Sequence, residues 1–254
     1  MILLKLTLAP VLIGLVSLAE RKWGASISGL LVGLPLTAGP LLFFLTLEQG
    51  KSFSARTSTA SMMGLVALAA FASVYARISQ AHGWIPSLLV ATGTYIATSA
   101  LLLKLPSLSV GWAFPIACGA LLLALLCFPR QLLFTPEFKI STGREISLRM
   151  VMAAAIVFLL TSLASLLGPV SSGLVSIFPV YTSILAVFNH MKSSVLALAV
   201  LKGVVTGALG SAVFFVIVAS AQGRLATGLC FGSATLAAIA VQALLFLCLK
   251  PANF

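Results

Sequence analysis

The 254-residue chain has no aspartate and only four glutamates, Glu20, Glu48, Glu137 and Glu145. Two-carboxylate hydrolysis, calcium loops and most two-metal sites need more acid than that. Histidine is almost as scarce: His82 and His190 stand far apart, and neither has a third ligand candidate beside it. The four cysteines, Cys118, Cys127, Cys230 and Cys248, all lie inside apolar runs and form no Cys-x-x-Cys or Cys/His spacing. They read as small buried hydrophobes, and neither a metal site nor a cofactor is expected. With no nucleophile–base pair visible, the chain does not read as an enzyme.

Charge of either sign is also low. Only 7% of the residues are charged and 61% are hydrophobic, whereas about a quarter of a typical soluble domain is charged. That composition belongs to an all-α polytopic membrane protein. Fifteen Lys and Arg leave a formal charge of +11. They stand singly between apolar runs, with no basic patch interleaved with aromatics. The expected partner is therefore the lipid bilayer and not nucleic acid.

A bilayer core of about 30 Å takes roughly 20 apolar residues per helix. Nine such runs are present: 2–19, 25–47, 57–76, 84–103, 108–128, 148–167, 171–191, 194–220 and 224–249. Charges, Gly or Pro separate them, as at Glu20-Arg21-Lys22, Gln49-Gly50-Lys51, His82-Gly83 and Gly168-Pro169. The weakest break, between the seventh and eighth runs, is marked only by His190 and Lys192. One long polar loop covers 129–147. No ten-residue alternation supports a membrane barrel. The side holding the N-terminus carries five basic residues, the other side nine, and Lys202 lies within a span. The positive-inside rule then places the N-terminus outside and the C-terminus in the cytoplasm.

An internal repeat follows. Ser28-Gly29-Leu30-Leu31-Val32-Gly33-Leu34-Pro35 and Ser172-Gly173-Leu174-Val175-Ser176-Ile177-Phe178-Pro179 both read S-G-L-[LV]-x-x-[LF]-P, offset by 144 residues. Ser17-Leu18-Ala19 matches Ser162-Leu163-Ala164 at 145, and Gly64 and Phe71 match Gly207 and Phe214 at 143. The first run, with Lys5 ahead of it and Ser17-Leu18-Ala19 at its end, has the look of a secretory signal, but its place in the repeat argues for a retained helix. The expected organisation is a four-helix unit over 1–106, a connector helix and cytoplasmic loop over 107–147, and a second four-helix unit over 148–254. Equivalent helices are five apart, an odd number, so the units run in opposite directions, as in many secondary transporters.

A short first helix followed by S-G-L-x-x-x-[LF]-P and a second apolar helix resembles the GlpM-like family of small bacterial membrane proteins. Each half of this chain is similar to one such unit. The resemblance implies a multi-pass protein of the bacterial inner membrane. That family is associated with exopolysaccharide production.

The proline-broken second helices are the first candidates for chemistry. Pro35, Pro40 and Pro179 each remove a backbone donor and free a carbonyl one turn back. Around them stand Ser28, Thr37, Ser172, Tyr181, Thr182 and Ser183, with Thr37 and Tyr181 equivalent. Broken helices near the midplane hold transporter sites, although Pro, Gly and Ser also serve close packing. Lys202 lies eight residues into the eighth run, about 12 Å deep at 1.5 Å per residue. An intramembrane cation suits an anionic substrate, and snorkelling to the interface is the simpler alternative. Arg56 stands within a turn of the equivalent place in the first unit. Glu48 and His190, at the ends of the second and seventh runs, are candidates for proton coupling. A glutamate ending a helix, Glu20 included, reads more simply as a solvated terminus. Gly203, Gly207 and Gly210 read as a close-packing face. Thr92, Tyr95 and Ser99 share one face of the fourth run, and Gln242 sits deep in the ninth.

Two functions remain open. One is a secondary transporter or flippase for a small organic anion or anionic lipid, with proton coupling if any. The other is a non-transporting accessory or scaffold protein of an envelope-polysaccharide assembly. The sequence leaves room for a homodimer.

Overall fold

A computed structural model describes residues 2–35, 38–105, 108–129, 142–159 and 178–249, with the side chains of all but 2–9, 41, 248 and 249. Every regular element among the described residues is an α-helix. In hydrocarbon a lone helix satisfies its own backbone, which an open strand cannot do. The helices are α1 (Ile2–Trp23), α2 (Ala25–Gly33), α3 (Ala38–Gln49), α4 (Lys51–Ile78), α5 (Trp84–Leu103), α6 (Val110–Cys127), α7 (helical over 143–159), α8 (Val180–His190), α9 (Ser194–Ala221) and α10 (Thr227–Leu249). Six stretches among the described residues are long and apolar enough to cross a membrane: α2 with α3, then α4, α5, α6, α9 and α10 up to Leu247. Residues 130–141 of the polar loop, the Gly168-Pro169 break, Thr37, Ser172 and Cys248's side chain lie outside the described residues, while 143–147, expected as loop, already form the first turn of α7.

Two details depart from the sequence reading. The second run is two helices, because α2 stops at Gly33 and α3 starts at Ala38, with Pro35 between them. The third run begins earlier than its hydrophobicity indicates, since Lys51 and Arg56 belong to α4. Single glycines make both sharp helix–helix joints possible. Gly24 between α1 and α2 has φ 94°, and Gly50 between α3 and α4 has φ 87°. A side chain there would strain the backbone.

Contacts distant in sequence fix which helix ends share a level. At one end, Lys51 Nζ at the start of α4 donates to Leu225 O, just past α9, at 2.9 Å. At the other, Tyr75 near the end of α4 meets His190, just before α9. So α4 and α9 run antiparallel. Both are 28 residues long, and both of their boundaries are displaced by 143 residues; α5 and α10 also start 143 apart.

The larger core cluster joins α4, α6 and α9 through Met62, Phe71, Tyr75, Leu121 and Phe214. A second, around Ile13, Val16, Ile184, Leu185 and Val200, joins α1, α8 and the first half of α9. The tightest approach is α2 on α9. Gly29 and Gly33 face Gly203 and Gly207 so closely that a Cβ on Gly29 would lie 2.1 Å from Val200 O, and one on Gly207 2.3 Å from Leu30 O. Small residues one turn apart on both helices permit this contact.

Candidate functional site

At the first break, Pro35 has no N–H to give to Leu31 O. Leu34 N turns back to that oxygen at 3.1 Å. The carbonyls this leaves at the end of α2 are taken by side chains from elsewhere in the chain. Gln242 Nε2 of α10 donates to Leu30 O at 2.7 Å, and Ser211 Oγ of α9 donates to Gly33 O at 2.6 Å. Both donors are buried. Gln242→Leu keeps the bulk and removes the donor, so it is expected to lower stability by about 1–3 kcal/mol. Unfolding of the purified protein in detergent measures this.

The other sequence candidates are spread over the bundle. Lys202 is half-buried on α9, between buried Leu201 and Gly203, and has no hydrogen bond or ion pair among the described residues. Tyr181 is half-buried against the second core cluster, and Thr182 beside it is buried. Ser28 is buried and donates to Ala25 O at 2.8 Å, with Glu20 Oε2 at 3.4 Å. Arg56 is exposed on α4, its Nε 3.5 Å from Ser52 O. Glu48 is exposed at the end of α3. Pro40 sits in the first turn of α3, where no intrahelical donor is missed, and Pro179 immediately precedes α8. His190 Nδ1 is 3.2 Å from Tyr75 Oη. Among the described residues no hydrogen bond or ion pair joins Lys202, Tyr181 and Arg56.

The most concentrated polar chemistry lies elsewhere, at the end of the bundle where α1 and α8 finish and α7 and α9 begin. Arg149 is fully buried. Its Nη1 is 2.8 Å from Glu20 Oε2 and its Nη2 3.2 Å from Oε1, a bidentate pair. Nη2 also lies 2.6 Å from Glu145 Oε1, and Nη1 3.3 Å from Ser17 Oγ. Lys192, in the α8–α9 turn, closes the cluster with its Nζ 2.9 Å from Glu145 Oε1. The Phe188 ring packs on the guanidinium at 5.2 Å. Arg149 and Glu20 are buried while Glu145 and Lys192 are each 15% exposed, and the bidentate fork fixes the geometry of the buried pair. Glu20 is therefore not a solvated helix end. Its carboxylate is 3% exposed because α7 brings it a buried cation. Arg149 itself reads in the sequence as one more basic residue flanking a loop. The available signal was its spacing from Glu145, an i,i+4 ion pair.

No family model, no curated protein and no solved structure matches the chain.

Proposed function

We propose that the protein is a secondary transporter or flippase for a small organic anion or anionic lipid, built from two inverted four-helix units. The observation that carries this reading is the pairing of α4 with α9: equal length, a constant displacement of 143 residues, and opposite direction. Each follows a proline-interrupted segment, α2–α3 in one half and α8 after Pro179 in the other. Inverted units with broken helices are the plan on which alternating access operates. The end holding Arg21, Lys22, Arg77, Arg144, Arg149 and Lys192 is more basic than the end holding Lys51, Arg56, Lys104 and Arg224, so it is taken as cytoplasmic. The resemblance to the GlpM-like family supports a bacterial inner membrane as its site. The Glu20–Arg149–Glu145–Lys192 cluster then acts as the cytoplasmic gate, because opening that end must separate α1, α7 and the α8–α9 turn.

A scaffold is the second reading, favoured by one observation. The carbonyls freed at the Pro35 break are capped by Gln242 and Ser211 and packed shut. Reconstitution decides between the two. Liposomes carrying the protein are loaded with labelled organic anions, and parallel vesicles carry fluorescent phosphatidylglycerol. The transporter reading predicts movement of at least one of these well above protein-free vesicles, reduced by Lys202→Ala. Movement of none, by folded protein, favours the scaffold.

A further inference from the structure

The two proline breaks differ in ways that point to separate jobs. At the first, the freed carbonyls are capped by side chains from facing helices. In α3's opening turn Gly39 N is bonded to Pro35 O at 2.8 Å, and Pro40 has no N–H. The facing helices supply Gln242 and Ser211, which seal the end of α2. At the displacement of 143 residues the same places in the other half hold Ser99 and Leu68. Leucine has no donor, and serine is too short to reach where glutamine does.

Around the second break donors stand open. α8 is 11 residues long and Pro179 gives it no side-chain cap. Val180 N bonds to Phe178 O and Ser183 N to Pro179 O, each at 2.8 Å. The N–H groups of Tyr181 and Thr182 are the remaining open donors of that turn among the described residues. The Ser183 hydroxyl, on the same turn, is buried without a partner. So is the Tyr95 hydroxyl of α5, which lies beside Ser99 without hydrogen-bond geometry to it. The Tyr95 ring meets Phe178, directly before Pro179, edge-on at 5.6 Å, which sets α5 against this break. Tyr95 is near the middle of the 20-residue α5. The 11 residues of α8 span about 16 Å back to their end of the bundle. Both measures put the break near the midplane.

A helix N-terminus carries about half a positive charge and open N–H groups. Buried hydroxyls without partners are costly, which argues for something that takes their protons. We infer that the start of α8, with Ser183 and Tyr95, is the anion-binding site of this protein, taking a carboxylate or phosphate oxyanion, and that the Pro35 break is its sealed structural counterpart. The ligand's class rests on the transporter reading; the geometry does not.

The chain has three tyrosines, Tyr75, Tyr95 and Tyr181, so 3-fluorotyrosine labelling of the full chain in neutral detergent gives three fluorine resonances, assigned by single Tyr→Phe variants. The probes are acetate, inorganic phosphate and dihexanoyl phosphatidic acid, against a matched chloride series. The Tyr95 resonance is expected to shift saturably with at least one probe. A response to phosphate or acetate identifies a free anion; a response to the phosphatidate alone identifies a lipid headgroup. Ser183→Ala should weaken binding at least fivefold without lowering the unfolding temperature, since the Ser183 hydroxyl has no partner to lose. Ser183→Thr keeps the hydroxyl and should keep binding. No saturable Tyr95 shift with any probe, or a shift that Ser183→Ala leaves unchanged, overturns the site. Binding by a protein that moves no anion overturns only the transporter reading. Transport that survives the Ser183→Ala, Tyr95→Phe double variant overturns only the site.

Discussion

Arg149→Ala is expected to destabilise the protein by about 3–5 kcal/mol, because it strands a buried carboxylate without its cation. Glu20 is 3% exposed and is held by both guanidinium nitrogens. Glu145 keeps Lys192, at 2.9 Å, and is the less affected of the two. The loss should be large at neutral pH in low salt and should persist in high salt, since a buried pair is poorly screened. A triple variant, Glu20→Gln with Glu145→Gln and Arg149→Met, removes the buried pair and leaves only the partly exposed Lys192 charged, so it should recover much of the stability. Denaturant unfolding in detergent measures both. A cost below about 1 kcal/mol for Arg149→Ala would place the cluster among solvated surface pairs. If the cluster is a gate, the triple variant folds but opens that end more readily, and a thiol probe at Ser17→Cys labels faster than in the parent.

Gly29→Ala and Gly203→Ala should be more damaging than their size implies, above about 3 kcal/mol each, at or past the usual cost of overpacking. The new Cβ would lie 2.1 Å from Val200 O in one case and 2.2 Å from Ser26 O in the other. Both obstacles are backbone, so no rotamer change relieves them and the helices must part. Separation would also pull α2 from the donors that cap it, Gln242 and Ser211. Gly93→Ala and Gly119→Ala are the controls. Each lies within a helix with nothing within 4 Å of the added carbon, so each should be neutral or stabilise by up to about 1 kcal/mol. Equal effects at all four positions would contradict the close α2–α9 contact.

The punctuation of this fold was legible because each break has a local chemical cause. His190 and Lys192 alone marked the turn between the seventh and eighth runs, and α8 and α9 do part there, at residues 191–193. The glycine stripe on α9 announced a close neighbour by its spacing. It could not say which helix, and α2 answers with glycines some 170 residues away. The start of α4 at Lys51 was hidden, since a polar first turn looks like loop when only apolar runs are counted. The ion cluster was hidden for a stronger reason. Glu20 and Arg149 are 129 residues apart, and no pattern along the chain pairs them. Tyr95 and Ser183 were visible as polar residues on apolar helices. That their hydroxyls are left unpartnered is a property of packing and cannot be read from spacing.

The central claim is that the two halves cross the membrane in opposite directions, with the Arg149 end inside. It is tested most directly by single cysteines at Gln49, Gly83, Met191 and Gly223, in intact spheroplasts of protein lacking the four native cysteines. All four positions are exposed in turns or at helix ends. Gln49 and Gly223 mark equivalent regions' opposite termini at one end of the bundle, and Gly83 and Met191 mark the other. The account predicts that an impermeant thiol reagent labels Gln49→Cys and Gly223→Cys at once, and Gly83→Cys and Met191→Cys only after the membrane is opened. Labelling of Gln49→Cys and Gly223→Cys from different sides, or of all four from one side, would contradict it.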